Sequence, residues 1–162
     1  MVLNDYIEHI KRAVSKALMD EWRAQGHYMS GKAVTEIKYV VSQSTEGFAI
    51  KGYMPFHGAI MDQGVSASKI PFAPGSGAKR SLYIEALTSY ARQRMNISNM
   101  QEAKSVAFAI AHTQKREGMP TKGSYRFSST GQRKGWIDEA FKKNRDLIGE
   151  QVRRLYLHII EI

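Results

Sequence analysis

Six consecutive apolar residues, Val106 to Ala111, lie inside a stretch, Ser98 to Gly118, that otherwise reads as a helix. Ser98 and Gln101 form a capping-box pair at its start, and Gly118 followed by Pro120 closes it. A helix turns once in about 3.6 residues, so the run leaves no polar side at its centre. The helix is therefore expected to be covered nearly all round, by its own domain or by a neighbouring subunit. Directly after it comes MPTKGSYRFSSTGQRKG, a basic, turn-rich segment with nothing of its own to bury. A compact helix feeding an extended cationic arm suits a subunit that works inside an assembly.

The rest of the chain supplies the body. Residues 3 to 25 place Leu3, Ile7, Ile10, Val14, Ala17, Leu18 and Trp22 on one helical stripe, with Asp5, Glu8, Arg12, Lys16 and Glu21 or its neighbours opposite and Gly26 as the stop. From Ala33 to Val41 the period changes to two, which predicts a strand. After the turn SQSTEG, Phe48, Ile50 and Met54 alternate with Lys51 in a second strand. The connection is too short for a parallel crossover, so the pair is expected to form an antiparallel hairpin. His57 to Val65 predicts a short helix closed at Gly64. Residues 66–80 hold Pro71, Pro74, Gly75 and Gly77 and read as a loop. Ser81 caps a helix through about Met95, with Leu82, Ile84, Leu87, Tyr90 and Ala91 as its apolar side. A last helix starts near Trp136, and Ile137, Phe141, Ile148, Val152, Leu155, Ile159 and Ile162 mark its stripe. These elements predict one α+β domain over 1–162, a small antiparallel sheet packed against several helices, with extended loops at 66–80 and 118–135.

Charge narrows the partners. Twenty-four Lys and Arg face fifteen Asp and Glu, a formal charge of +9, which points to a polyanion and to nucleic acid first. Lys115, Arg116, Lys122, Arg126, Arg133 and Lys134 fall in one window where Glu117 is the sole acid, and Tyr125 and Phe127 interleave with them. Lys69, Lys79 and Arg80 form a smaller basic loop. Phosphate contacts of this kind are sequence-independent and salt-sensitive.

Catalytic signatures are missing. The absence of cysteine removes disulfides, thiolate metal sites and cysteine nucleophiles. The five histidines, 9, 27, 57, 112 and 158, sit in no metal-binding spacing and read as surface or packing residues. APGSGAKRS departs from the phosphate-loop pattern, because Ala78 precedes Lys79 and no apolar strand leads in. Asp62 and Asp138–Glu139 are isolated acids. No enzymatic activity, cofactor or metal is expected. Asp5, Glu8, Lys11 and Arg12 break any signal-peptide core, and no apolar run approaches the roughly 20 residues of a membrane span, so a soluble protein is expected.

The order of elements, a long first helix, a short sheet, YMPFHGAIMDQGV and then GWIDEAFKKNRDLIGEQVRRLYLHII, resembles the tail-completion and head–tail connector proteins of tailed bacteriophages. The matching positions are Tyr53 to Gly64 and Trp136 to Ala140. The insert IEALTSYARQRMN and EAKSVAFAIAHTQKREGMPTKGS also resembles virion proteins of phages infecting Bacteroidales, the crAss-like group among them. The resemblance implies a structural neck or tail ring around the channel through which DNA is retained and ejected, in a virion assembled in the host bacterial cytoplasm. It implies as partners a homo-oligomeric ring of on the order of twelve or six copies, the portal or adjacent neck and tail rings, and double-stranded DNA, with no membrane. No catalytic residue comes with it. On this reading Lys69, Lys79, Arg80, Lys115, Arg116, Lys122, Arg126, Arg133 and Lys134 would meet DNA or a neighbouring ring, and Val106, Phe108, Ile110 and Trp136 would pack between subunits. The rival expectation is a basic DNA-binding or packaging accessory protein acting as a monomer or dimer.

Overall fold

The computed structural model describes residues 3–27, 32–44, 47–76 and 81–160. It is an α+β protein with seven α-helices and a two-stranded antiparallel sheet among those residues. Its contacts fall into two compact units, residues 1–63 with 127–162, and residues 64–126.

In the first unit, α1 (Leu3–Ala24) buries Ile7, Ile10, Ala17, Leu18 and Trp22, the stripe its spacing predicts. Glu21 departs from expectation. It follows Ala17 by one helical turn, so it belongs to the inner face, and it is buried rather than opposite the stripe. The segment expected to open a strand at Ala33 instead makes a helical turn, α2 (Lys32–Thr35), and Val34 joins the core of Ala17, Leu18, Trp22, Trp136 and Ala140. Burial of Val34 outweighs β-propensity there. The hairpin follows as β1 (Lys38–Ser44) and β2 (Gly47–Tyr53), in a register running from Lys38 opposite Tyr53 to Ser44 opposite Gly47. Ser15 Oγ and the Tyr39 hydroxyl share a hydrogen bond of 2.8 Å, which ties the hairpin to α1. Then comes α3 (Phe56–Gln63).

The expected single C-terminal helix is two, α6 (Trp136–Lys143) and α7 (Arg145–Ile160). Asn144 breaks them with φ −113° and ψ 16°, and its side-chain amide donates to the Ala140 carbonyl at 2.9 Å. The break changes which side of α7 faces inward. Leu155 is buried and Ile148 half-buried, whereas Phe141, Val152 and Ile159 of the expected stripe are exposed. Ile162 lies outside the described residues. Near the end of α7, His158 stacks on Tyr6 of α1 with ring centroids 4.8 Å apart.

The second unit is built on α4 (Leu82–Arg94) and α5 (Met100–Glu117). Ser81 caps α4 by accepting from Ile84 N–H at 3.3 Å. Asn99, not Ser98, caps α5, its Oδ1 accepting from Gln101 and Glu102 N–H at 2.9 and 3.1 Å. Ala91, Ala103, Ala107 and Ala111 are all fully buried, and their small side chains let the two helices approach closely. Of the expected apolar side of α4, Leu82 and Tyr90 point to solvent instead. The described part of the expected loop, residues 66–76, does more than loop. A 3-10 turn, Ala67–Lys69, leads into Ile70 and Phe72, which are buried against Ile84, Ala107 and Ala111. Val65 and Met119 exchange backbone hydrogen bonds of 2.7 and 2.8 Å, closing the unit at its base.

Candidate polyanion-contacting surface

Charge is divided unequally between the units. Residues 64–126 hold ten Lys and Arg against Glu85, Glu102 and Glu117, a formal +7. The remainder holds fourteen against twelve acids, a formal +2. The polyanion-attracting character therefore belongs to the second unit.

Of the cations singled out in the sequence, Lys69, Arg116, Lys122 and Arg126 are exposed on that unit. Lys115 is half-buried, and its ammonium donates to the Ile70 carbonyl at 3.1 Å, where it fastens the backbone at Ile70 to α5. Glu117 engages Arg116 at 2.8 Å and accepts from the Lys122 backbone N–H at 3.0 Å. The Arg116 hydrogen bond first, and the Lys122 N–H second, hold its carboxyl below the usual range. The start of the arm is thus turned back on α5 rather than extended, and continues as a 3-10 helix, Lys122–Phe127. Tyr125 and Phe127 remain exposed beside Arg126. Lys79 and Arg80 lie outside the described residues.

In the first unit the arm docks on the end of α1. Ser129 N–H and Oγ donate to the Ala24 carbonyl at 2.8 and 3.0 Å, and Arg133 Nη1 donates to the Gln25 carbonyl at 2.8 Å. Gly26 makes this approach possible, because a Cβ there would lie 2.3 Å from the Phe127 carbonyl oxygen. Arg133 is therefore a clamp within its own fold, while Lys134 is exposed. The same corner holds a buried polar chain that sequence reasoning missed. Lys143 meets Glu21 at 2.6 Å, Gln25 donates to Glu21 at 3.0 Å, and His27 Nε2 lies 3.3 Å from Gln25 Oε1. Burial first, and the Arg133 guanidinium second, push the His27 pKa down to about 4, so the ring is neutral at pH 7. Lys143 and Arg133 stand more than a hundred residues from Glu21, Gln25 and His27 in sequence, and the one local signal was Glu21 recurring a turn after Ala17.

The four residues expected between subunits separate clearly. Trp136 is fully enclosed by its own fold, edge-on to Trp22 at 4.9 Å, with its indole N–H donating to the Gly58 carbonyl at 3.2 Å. Its volume fills this core, so it offers no surface to a neighbour. Val106 and Ile110 are half-buried and Phe108 is exposed. The apolar run of α5 is thus covered on one side, through its alanines, and open on the other. Asp62 serves the fold as well. Its Oδ1 accepts from Ile137 N–H at 2.9 Å and its carbonyl from Gly135 N–H at 2.9 Å, which caps α6.

Among the described residues no group of three His, Asp or Glu side chains is placed to hold a metal ion, and no helix is long and apolar enough to cross a membrane. Comparison with protein-family models, with curated proteins and with solved structures finds no match.

Proposed function

We propose that this chain is a structural subunit of an oligomeric ring in a phage neck or tail, where it contacts the DNA that passes through. The observation that carries the assembly role is an exposed apolar stripe on α7. Val152, Tyr156 and Ile160 recur every four residues and are 42, 59 and 69% exposed. Helical spacing aligns them on one side, the kind of surface that marks a protein–protein contact. The formal +7 of residues 64–126 supports the contact with DNA. A closed ring multiplies that charge, so twelve copies would carry on the order of +100. A channel calls for contacts that read no fixed sequence, since DNA must slide. The phage setting itself rests on the sequence resemblance.

Electron microscopy of native particles, with density assigned to this chain, tests the proposal. A ring at the neck or tail is the expected result, and particles lacking the chain would overturn it. Light scattering on purified protein separates the accessory-protein alternative, which requires a stable monomer or dimer that binds duplex DNA unaided.

A further inference from the structure

The side of α5 centred on Phe108 carries no acid, and the exposed Glu102 borders it on the Arg116 side. Gln101, Lys104, Ser105, Phe108, His112 and Arg116 are all exposed and fall on one side of the helix. Glu102 is displaced from Phe108 by roughly 120° around the axis and Glu117 by roughly 180°. The helix runs about 27 Å, and Lys104 and Arg116 stand about 18 Å apart along it. Between them the Phe108 and His112 rings are held by a third ring: buried Phe72 lies 6.2 Å from Phe108 and 4.9 Å, edge-on, from His112. The outer side of the Phe108 ring, fixed in this way on a convex helix face that also carries Lys104 and Arg116, is presented to solvent.

From this arrangement we infer that α5 is the element by which the protein engages duplex DNA, seated in the major groove. The groove, about 12 Å wide, admits an α-helix, and a convex face suits it where a single strand would call for a trough. Lys104 and Arg116 reach the phosphates along the two walls, while Phe108 and His112 face the base edges and supply apolar contact without a fixed sequence. The Arg116–Glu117 ion pair is exposed and gives way to a phosphate. Lys115 stays on the Ile70 carbonyl and holds the helix to its own unit. This inference rests on the proposed contact with DNA and names the surface that makes it.

The test is fluorescence anisotropy of a labelled mixed-sequence DNA duplex with the full chain across a salt series. Lys104→Gln with Arg116→Gln is expected to weaken duplex binding about tenfold and to reduce the salt slope by about two. Phe108→Ala is expected to weaken binding with the salt slope unchanged. The comparison variant, Lys122→Gln with Lys134→Gln, removes as much charge away from α5 and is expected to weaken binding less than threefold. If both double variants lose equally, the charge acts diffusely and the α5 assignment is overturned, while the contact with DNA stands. Tighter binding to a single strand of the same length overturns the groove. A native chain that ignores duplex DNA at low salt overturns the DNA contact and the α5 assignment together.

Discussion

The ammonium of Lys143, on α6, lies 2.6 Å from the carboxylate of Glu21, on α1, across 122 residues of sequence. Glu21 is 4% exposed and the Lys143 side chain 46%, so the pair is an acid inside the fold neutralised from its rim. Removing the lysine strands the carboxylate, whereas removing the carboxylate frees a lysine that water can reach. Lys143→Met is expected to cost about 1–2 kcal/mol, and Glu21→Gln less, because Gln25 remains as a hydrogen-bonding neighbour. Urea unfolding midpoints of the two variants check the order; equal costs would mean that the buried charge is not the controlling term.

His27 makes stability depend on pH. The unfolded chain takes up its proton near the ordinary 6.5, but the folded chain does so only near 4. The unfolded state therefore binds more protons between those values, and stability falls as pH drops from about 6.5 to about 4, then levels off. The contribution is about 2 kcal/mol after allowance for solvent screening. Thermal unfolding of native protein and His27→Gln at pH 7 and pH 4.5 should show the native chain losing more. Parallel losses would mean that the His27 ring is not held neutral by the fold.

Gly26 and Gly131 both adopt positive φ, +71° and +72°, but only Gly26 is crowded. A Cβ at 26 would meet Phe127 O at 2.3 Å and Arg133 Nη1 at 2.6 Å, while a Cβ at 131 would meet nothing within 4 Å. Gly131→Ala is expected to cost about 1 kcal/mol from the backbone alone. Gly26→Ala should cost about 3 kcal/mol and loosen the arm, seen as faster amide exchange around Ser129. Similar costs at both sites would refute the close docking of the arm.

The cap of α5 offers a one-residue test. Asn99→Ala should lose about 1 kcal/mol, and Ser98→Ala should stay within about 0.5 kcal/mol of native, read by chemical denaturation. The reverse order would place the helix start at Ser98.

What could be read in the sequence follows from how local its cause is. The stripe of α1, the antiparallel hairpin, the Ser81 cap and the Gly118 stop depend on residues within a few positions, and the structure has them. The helical turn at Val34 and the break at Asn144 are set by packing against distant residues, and periodicity did not report them. The apolar run of α5 misled for a related reason. Ala103, Ala107 and Ala111, each a helical turn apart, bury fully at almost no cost in volume, so the helix needs cover on one side only. Among the basic residues, composition found the charged region but not the distinction between Arg133, which clamps the fold, and Lys122 or Lys134, which do not.

The division of the chain also sets an order of birth. Residues 64–126 are continuous, so every core partner of that unit has been synthesised once Arg126 leaves the ribosome. The other unit needs both ends: α1 meets α6 and α7 only after more than a hundred further residues have been added. At ordinary elongation rates that delay is on the order of ten seconds, during which Ile7, Ile10, Leu18 and Trp22 stand without their cover. The cationic unit matures first, and the hydrophobic side of α1 is what nascent-chain chaperones would meet in the meantime.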